Sequence, residues 1–150
     1  MTTSPDEYPD SLVDYIMGRA APVICPPISK LGLCYLATPY SKYPAGIEQA
    51  FRDAAALTGR LLIEGAKVYS PIAHTHPVAI HGNIDPLNHD IWLPFDAAMM
   101  DVAQTLLVAQ MDTWEISYGV KHEIDVFRAA GKPIYYLDPS DLSVSWEPTR

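Results

Sequence analysis

The sequence predicts an α/β domain: an open parallel sheet of four to five strands flanked by helices. Two observations carry this. Short, continuously apolar runs recur along the chain, as strands buried on both faces require: Leu33-Cys34-Tyr35-Leu36-Ala37, Thr105-Leu106-Leu107-Val108-Ala109 and Ile134-Tyr135-Tyr136-Leu137. Between them lie stretches with apolar residues at helical spacing, and strands alternating with helices imply parallel pairing through right-handed crossovers.

Taken in order, the elements support that class. Residues 1–30 are punctuated by Pro5, Pro9, Pro22, Pro26 and Pro27, with room for one short helix over Ser11 to Arg19. This segment reads as an N-terminal proline-rich arm or cap whose apolar residues pack on the body or on a second subunit. Residues 31–150 form the domain. The first strand, Leu33 to Ala37, stops at Thr38-Pro39. A helix within Pro44 to Glu64 follows from Ile47, Phe51, Ala54, Leu57, Leu61 and Leu62, and Gly65 closes it. Lys67-Val68-Tyr69-Ser70 is a second strand, ended by Pro71, and Ile72 to about Asn88 reads as a polar, histidine-bearing loop. Ile91, Phe95, Ala98, Met99 and Val102 predict a helix from about Asp90 to Val102, with Pro94 in its early turns. The third strand, the Ser117 loop, a helix bearing Glu123 and the fourth strand come next. Leu142 to Trp146 offers a short edge element.

The 150 residues are enough for one domain with a real core, and 49% hydrophobic with 19% charged residues is a globular composition. A net charge of −8 with ten Lys and Arg argues against a nucleic-acid-tracking surface, which needs clustered cations. A small anion held by backbone N–H groups stays compatible with it. Two cysteines, Cys25 and Cys34, are too few for a disulfide framework. With no secretory leader and no apolar run near the ~18 residues of a membrane span, a cytoplasmic location without membrane partner is expected.

The segment richest in chemistry is Ser117-Tyr118-Gly119-Val120-Lys121-His122-Glu123. A strand leading through a loop into a helix sets the helix N-terminus at the carboxyl edge of a parallel sheet, where ligands of such folds bind. Glu123, near the first helical turn, is then a candidate nucleophile or general base, and the free N–H groups beside it a candidate anion site. The alternative is a carboxylate that merely complements the helix dipole. Ser117 reads as a cap or as a donor to a ligand oxyanion, and Gly119 as a turn glycine or a point of close ligand approach. At the end of the first strand, Tyr35, Thr38, Pro39 and Ser41 border the same edge; Tyr40 and Lys42 read as solvated loop residues. Asp96, among Phe95, Ala97, Ala98 and Met99, is costly unless paired, solvent-facing or ligand-facing. His74, His76, His81 and His89-Asp90 carry metal-binding residue types, but their spacing matches no zinc pattern. Structural or substrate-facing roles are favoured for them.

Together these motifs resemble the nucleoside 2-deoxyribosyltransferase-like superfamily, which includes the nucleoside 5′-monophosphate N-glycosidases. The resemblance covers about residues 31–138. Tyr35-Leu36-Ala37-Thr38-Pro39 matches an opening strand of the type Tyr-Leu-Ala-Gly-Pro, with Thr38 in the glycine position. Asp96 stands before Ala103-Gln104-Thr105-Leu106, where Gln104 replaces the usual Asp. Gly119 to Glu123 matches Gly-x-x-x-Glu, and Gly131-Lys132-Pro133 precedes the last strand. The loop from Trp114 to Val120 also looks like that of an uncharacterised subfamily.

The resemblance implies a flavodoxin/Rossmann-like fold and an enzyme that cleaves or transfers the N-glycosidic bond of a nucleoside or nucleoside 5′-monophosphate. In it, Glu123 would attack the anomeric carbon and hold a glycosyl-enzyme intermediate. Asp96 would handle the base or orient the sugar, supplying a proton to the base if its pKa is raised, and Tyr35 would position the nucleophile. Thr38, Pro39, Ser41, Ser117, Gly119, His74, His76 and Trp114 would surround the substrate. Ser117 stands where transferases carry an Asp and the monophosphate glycosidases a Ser that binds phosphate, which favours hydrolysis and a phosphorylated substrate. No cofactor or metal is expected. A homo-oligomer is, with Trp114, Tyr118 and the arm at its interface. Two rivals stand beside this reading: a non-catalytic nucleotide-binding or sensing module on the same fold, and a metal-dependent hydrolase using the His74–His89 loop.

Overall fold

The structure is a computed structural model that describes residues 25–148; the greater part of the arm expected over 1–30 lies outside them. Five strands form one sheet: β1 (Leu33–Ala37), β2 (Lys67–Tyr69), β3 (Thr105–Ala109), β4 (Ile134–Leu137) and β5 (Val144–Ser145), in the order β2-β1-β3-β4-β5. The first four run parallel, in registers such as Cys34 with Val68, Leu36 with Leu107 and Leu107 with Tyr135. The expected edge element is β5, which returns antiparallel on β4, setting Val144 opposite Leu137.

Four α-helices connect the strands: α1 (Ile47–Ile63), α2 (Pro71–Gly82), α3 (His89–Val102) and α4 (Tyr118–Ala129). Alternation along β1 splits the core in two. Cys34 and Leu36 face Leu57 and Leu61 of α1, whereas Tyr35 and Ala37 face Met100 of α3 and Val120 and Phe127 of α4. β3 is buried along its whole length, as a central parallel strand between two helical layers must be. No described helix is long and apolar enough to cross a membrane.

The chain leaves β1 toward one edge of the sheet and leaves β3 toward the other. The carboxyl ends of β1 and β3 therefore flank a topological switch point, where loops diverge and open a crevice.

One expected element is corrected. The loop read from Ile72 to Asn88, which includes His74, His76 and His81, is helical through Gly82. Pro71 does not only end β2; it occupies the first helical turn, where its missing N–H costs nothing. Ser70 caps that turn, its Oγ accepting from Ala73 N at 3.2 Å. Pro77 within the helix masked the pattern, and Asn83 ends it in the left-handed region at φ 53°.

A carboxylate cleft at the switch point

Two strand ends and two helices build the site. After β1 the chain turns through Thr38, Tyr40 and Ser41. After β3 it passes a 3₁₀ turn, Trp114–Ile116, and enters α4 at Ser117. Ser117 is buried and caps the helix, Oγ accepting from Val120 N at 3.4 Å. Because this cap fixes the helix start at Tyr118, Glu123 falls in the second turn of α4, one turn deeper than the sequence suggested. Asp96 projects from α3.

These residues share one cleft with a cavity volume of about 120 Å³. Thr38, Ser41, Asp96, Ser117, Gly119 and Glu123 line it, together with Tyr40, Thr75, Trp92 and Tyr118. Tyr35 lies behind the lining: it is fully buried and faces Glu123 from the sheet.

Unmet polar groups concentrate at this floor. Tyr35 Oη, Thr38 Oγ1, Asp96 Oδ1 and Glu123 Oε2 are all inaccessible; among the described residues Thr38 Oγ1 and Asp96 Oδ1 have no hydrogen-bond partner, and the Tyr35 phenol and Glu123 carboxyl have none beyond each other. Buried polar atoms are satisfied in the large majority of cases, so several in one place need a reason. Burial pushes the Asp96 carboxyl up to about 6. Glu123 is pushed well above the ordinary carboxylate range, first by burial and then by the charge of Asp96, while the Tyr35 phenol beside it pulls the other way. Tyr35 is raised in turn by burial and by both carboxylates. Two interacting carboxyls of this kind titrate as a pair and hold one proton between them over a range of pH.

His89, at the start of α3, also lines the cleft and stacks on Tyr118 at 5.5 Å between ring centroids; the residues that follow lie elsewhere. Pro39 is buried beneath Thr38 and does not line the cleft. His74 stacks on Phe95 at 5.4 Å between ring centroids and leans on Tyr69. His76 is 3% exposed, with its ring nitrogens 2.6 Å from Tyr40 Oη and 2.8 Å from Glu48 Oε2. Trp114 packs against Tyr136 at 5.7 Å and borders a separate shallow groove with Gln110 to Ile116. Among the described residues, no three His, Cys, Asp or Glu side chains stand together as a metal site.

Several lining residues were not legible. Tyr40, read as solvated, is half-buried and hydrogen-bonded. Trp92 lies one helical turn before Asp96, a spacing that could have marked it. Thr75 would have followed from Ser70-Pro71 read as a helix start.

An open parallel α/β domain with a carboxylate-floored cleft at its switch point is the class that fold and site define. Within it, the chain belongs to the family described as a domain of unknown function (DUF1937), which it matches over residues 32–138. No curated protein matches it.

Proposed function

We propose that this cleft cleaves the N-glycosidic bond of a nucleoside or nucleoside 5′-monophosphate, with hydrolysis favoured over transfer to a second base. One observation carries the reading. Asp96 and Glu123 line the floor of a cleft at the switch point with buried carboxyl oxygens, Asp96 Oδ1 unpartnered and Glu123 Oε2 backed only by the Tyr35 phenol. A carboxylate pair is the usual apparatus for an oxocarbenium-like glycosidic transition state, and unmet polar atoms there await a ligand.

In this reading Glu123 attacks the anomeric carbon in its ionised form, with the shared proton on Asp96. Positive charge growing on the sugar draws Glu123 toward ionisation, against the burial that favours its protonated form. Tyr35, with no exposed surface, does not touch substrate; it fixes the Glu123 carboxylate from behind. The likeness to the nucleoside 2-deoxyribosyltransferase-like superfamily supports the same roles.

Phosphate recognition follows from Ser117. Its Oγ accepts the Val120 N–H, so its own proton is free to donate into the cleft beside the unpaired amides of the first turn of α4. Histidines 74 and 76 and Trp114 are withdrawn from the substrate set, since each packs away from the lining. Tyr118, 57% exposed at the mouth, would be covered by a second copy in a homo-oligomer.

The test is release of free base from a panel of ribo- and deoxyribonucleosides and their 5′-monophosphates, with Glu123→Ala as control. Release lost in the variant is the expected result. Ser117→Ala should then erase most of the preference for the monophosphates, worth about tenfold for one hydrogen bond to a charged group. Binding without any release would make the protein a nucleotide-binding module instead.

A further inference from the structure

His76 is the most buried ionisable ring among the described residues whose surroundings are entirely accounted for. Phe51 stacks on it at 4.7 Å between centroids and 17° between planes. Tyr40 meets it edge-on, Oη 2.6 Å from Nδ1, and Glu48 Oε2 lies 2.8 Å from Nε2. The bond from His76, more than the neighbouring Arg52, holds Glu48 below the usual carboxylate range, so it is an ionised acceptor. An ionised carboxylate can only accept, so Nε2 carries the proton. In the neutral ring Nδ1 is then the acceptor and the Tyr40 hydroxyl donates to it.

The ends of this chain differ. Glu48 is 58% exposed and pairs with Arg52 at 3.1 Å, so it stands in solvent. Tyr40 lines the cleft, next to Ser41 and to Thr75, the residue before His76. A buried imidazole thus links bulk water to a phenol at the proposed glycosidic site. Asp96, by contrast, has one carboxylate oxygen closed off and unpartnered among the described residues.

Resting on the glycosidase reading, we infer that Tyr40 is an acid/base residue of the cleft, with His76 and Glu48 as the positioning residues that supply and withdraw its proton. With His76 protonated at both nitrogens, Tyr40 must turn its own O–H away from Nδ1. As the bond from anomeric carbon to base nitrogen breaks, its electron pair goes to the base nitrogen, which takes the Tyr40 proton. Tyr40 recovers a proton from Nδ1, while a Glu123 oxygen bonds the anomeric carbon. In the second half, water attacks that carbon and the bond to Glu123 breaks, returning its electron pair to the carboxylate. The proton of the attacking water passes through Tyr40 to Nδ1. One relay then serves both halves, as reversibility of the two steps demands.

The experiment compares two leaving groups: an unmodified purine 5′-monophosphate, whose base needs a proton to leave, and its N7-methylated counterpart, whose cationic base departs neutral. Tyr40→Phe should lower kcat on the first about 100-fold and on the second by about threefold or less. Glu48→Gln, at the exposed end of the chain and harmless to packing, should show the same selectivity at a smaller size. Equal losses on both substrates, or none on either, would overturn the relay while leaving the glycosidase reading intact. A wild-type protein that releases base from neither substrate overturns both.

Discussion

The two ends of the sheet treat their polar groups differently. At the amino end they are satisfied. Thr105 Oγ1 donates to Leu31 O at 2.6 Å, and Gln104 Oε1 accepts from Leu33 N at 2.9 Å. Lys132 Nζ donates to three carbonyls at the end of α3 and just beyond it, Met100, Asp101 and Ala103, at 2.9, 2.6 and 2.8 Å. At the carboxyl end, among the described residues, Thr38 and Asp96 hold buried atoms with no partner, and Tyr35 and Glu123 have only each other. Both ends belong to the same strands and lie under the same helices. The amino end therefore contributes stability, and the carboxyl end gives some of it up; in the proposed function, that cost keeps groups ready for a ligand.

That contrast can be broken from either side. The largest effect is expected at Glu123, where Glu123→Gln should cut base release by about 10³-fold or more, because a neutral amide neither attacks carbon nor balances its charge. The same variant should melt higher than wild type, since the desolvated carboxyl is gone; a drop in melting temperature would mean that Glu123 is structural. Next comes the amino end. Lys132→Met removes three charge-assisted bonds to helix-end carbonyls and should cost about 2–3 kcal/mol in urea unfolding. Activity per folded molecule should not change, and a selective loss of activity would show that the two ends are not separable.

The smallest effect is a pH dependence. Asp96 has a folded pKa near 6 against an ordinary 3.8, so the folded state binds the proton more tightly than the unfolded chain. Its contribution is fully favourable below the unfolded value and is lost as pH rises through about 6. Asp96→Asn should accordingly stabilise the protein at pH 7 by about 1 kcal/mol, discounted for solvent screening of a part-exposed group, and by nothing at pH 3. Thermal melts of the two proteins across that interval check it. A difference that is flat with pH would place the Asp96 shift elsewhere.

The amino end also shows what a motif residue can turn out to do. Gly131-Lys132-Pro133 stood in the sequence as a family signature, and its lysine closes the end of α3 far from the cleft floor. Gln104, noted only as a departure from an expected Asp, ties the start of β1 by accepting from Leu33 N. Spacing identified both positions; the role of each came from the partner that folding delivered.

By itself the sequence determined the parallel α/β class, four of the five strands nearly to the residue, and the meeting of Tyr35, Thr38, Ser41, Ser117 and Glu123 at one sheet edge. Continuous apolar runs and a strand-loop-helix order are local signals, and β-strand polarity then sends every such loop to the same side. Only the tertiary structure decided which ionisable groups line the cleft and which pair within the protein. Asp96 and His76 lie on helices whose sequences allow either outcome. Asp96 ends with a carboxylate oxygen unpartnered at the cleft floor, and His76 ends sealed between Phe51, Tyr40 and Glu48. That difference comes from contacts between residues far apart in the chain, and no period of hydrophobicity records it.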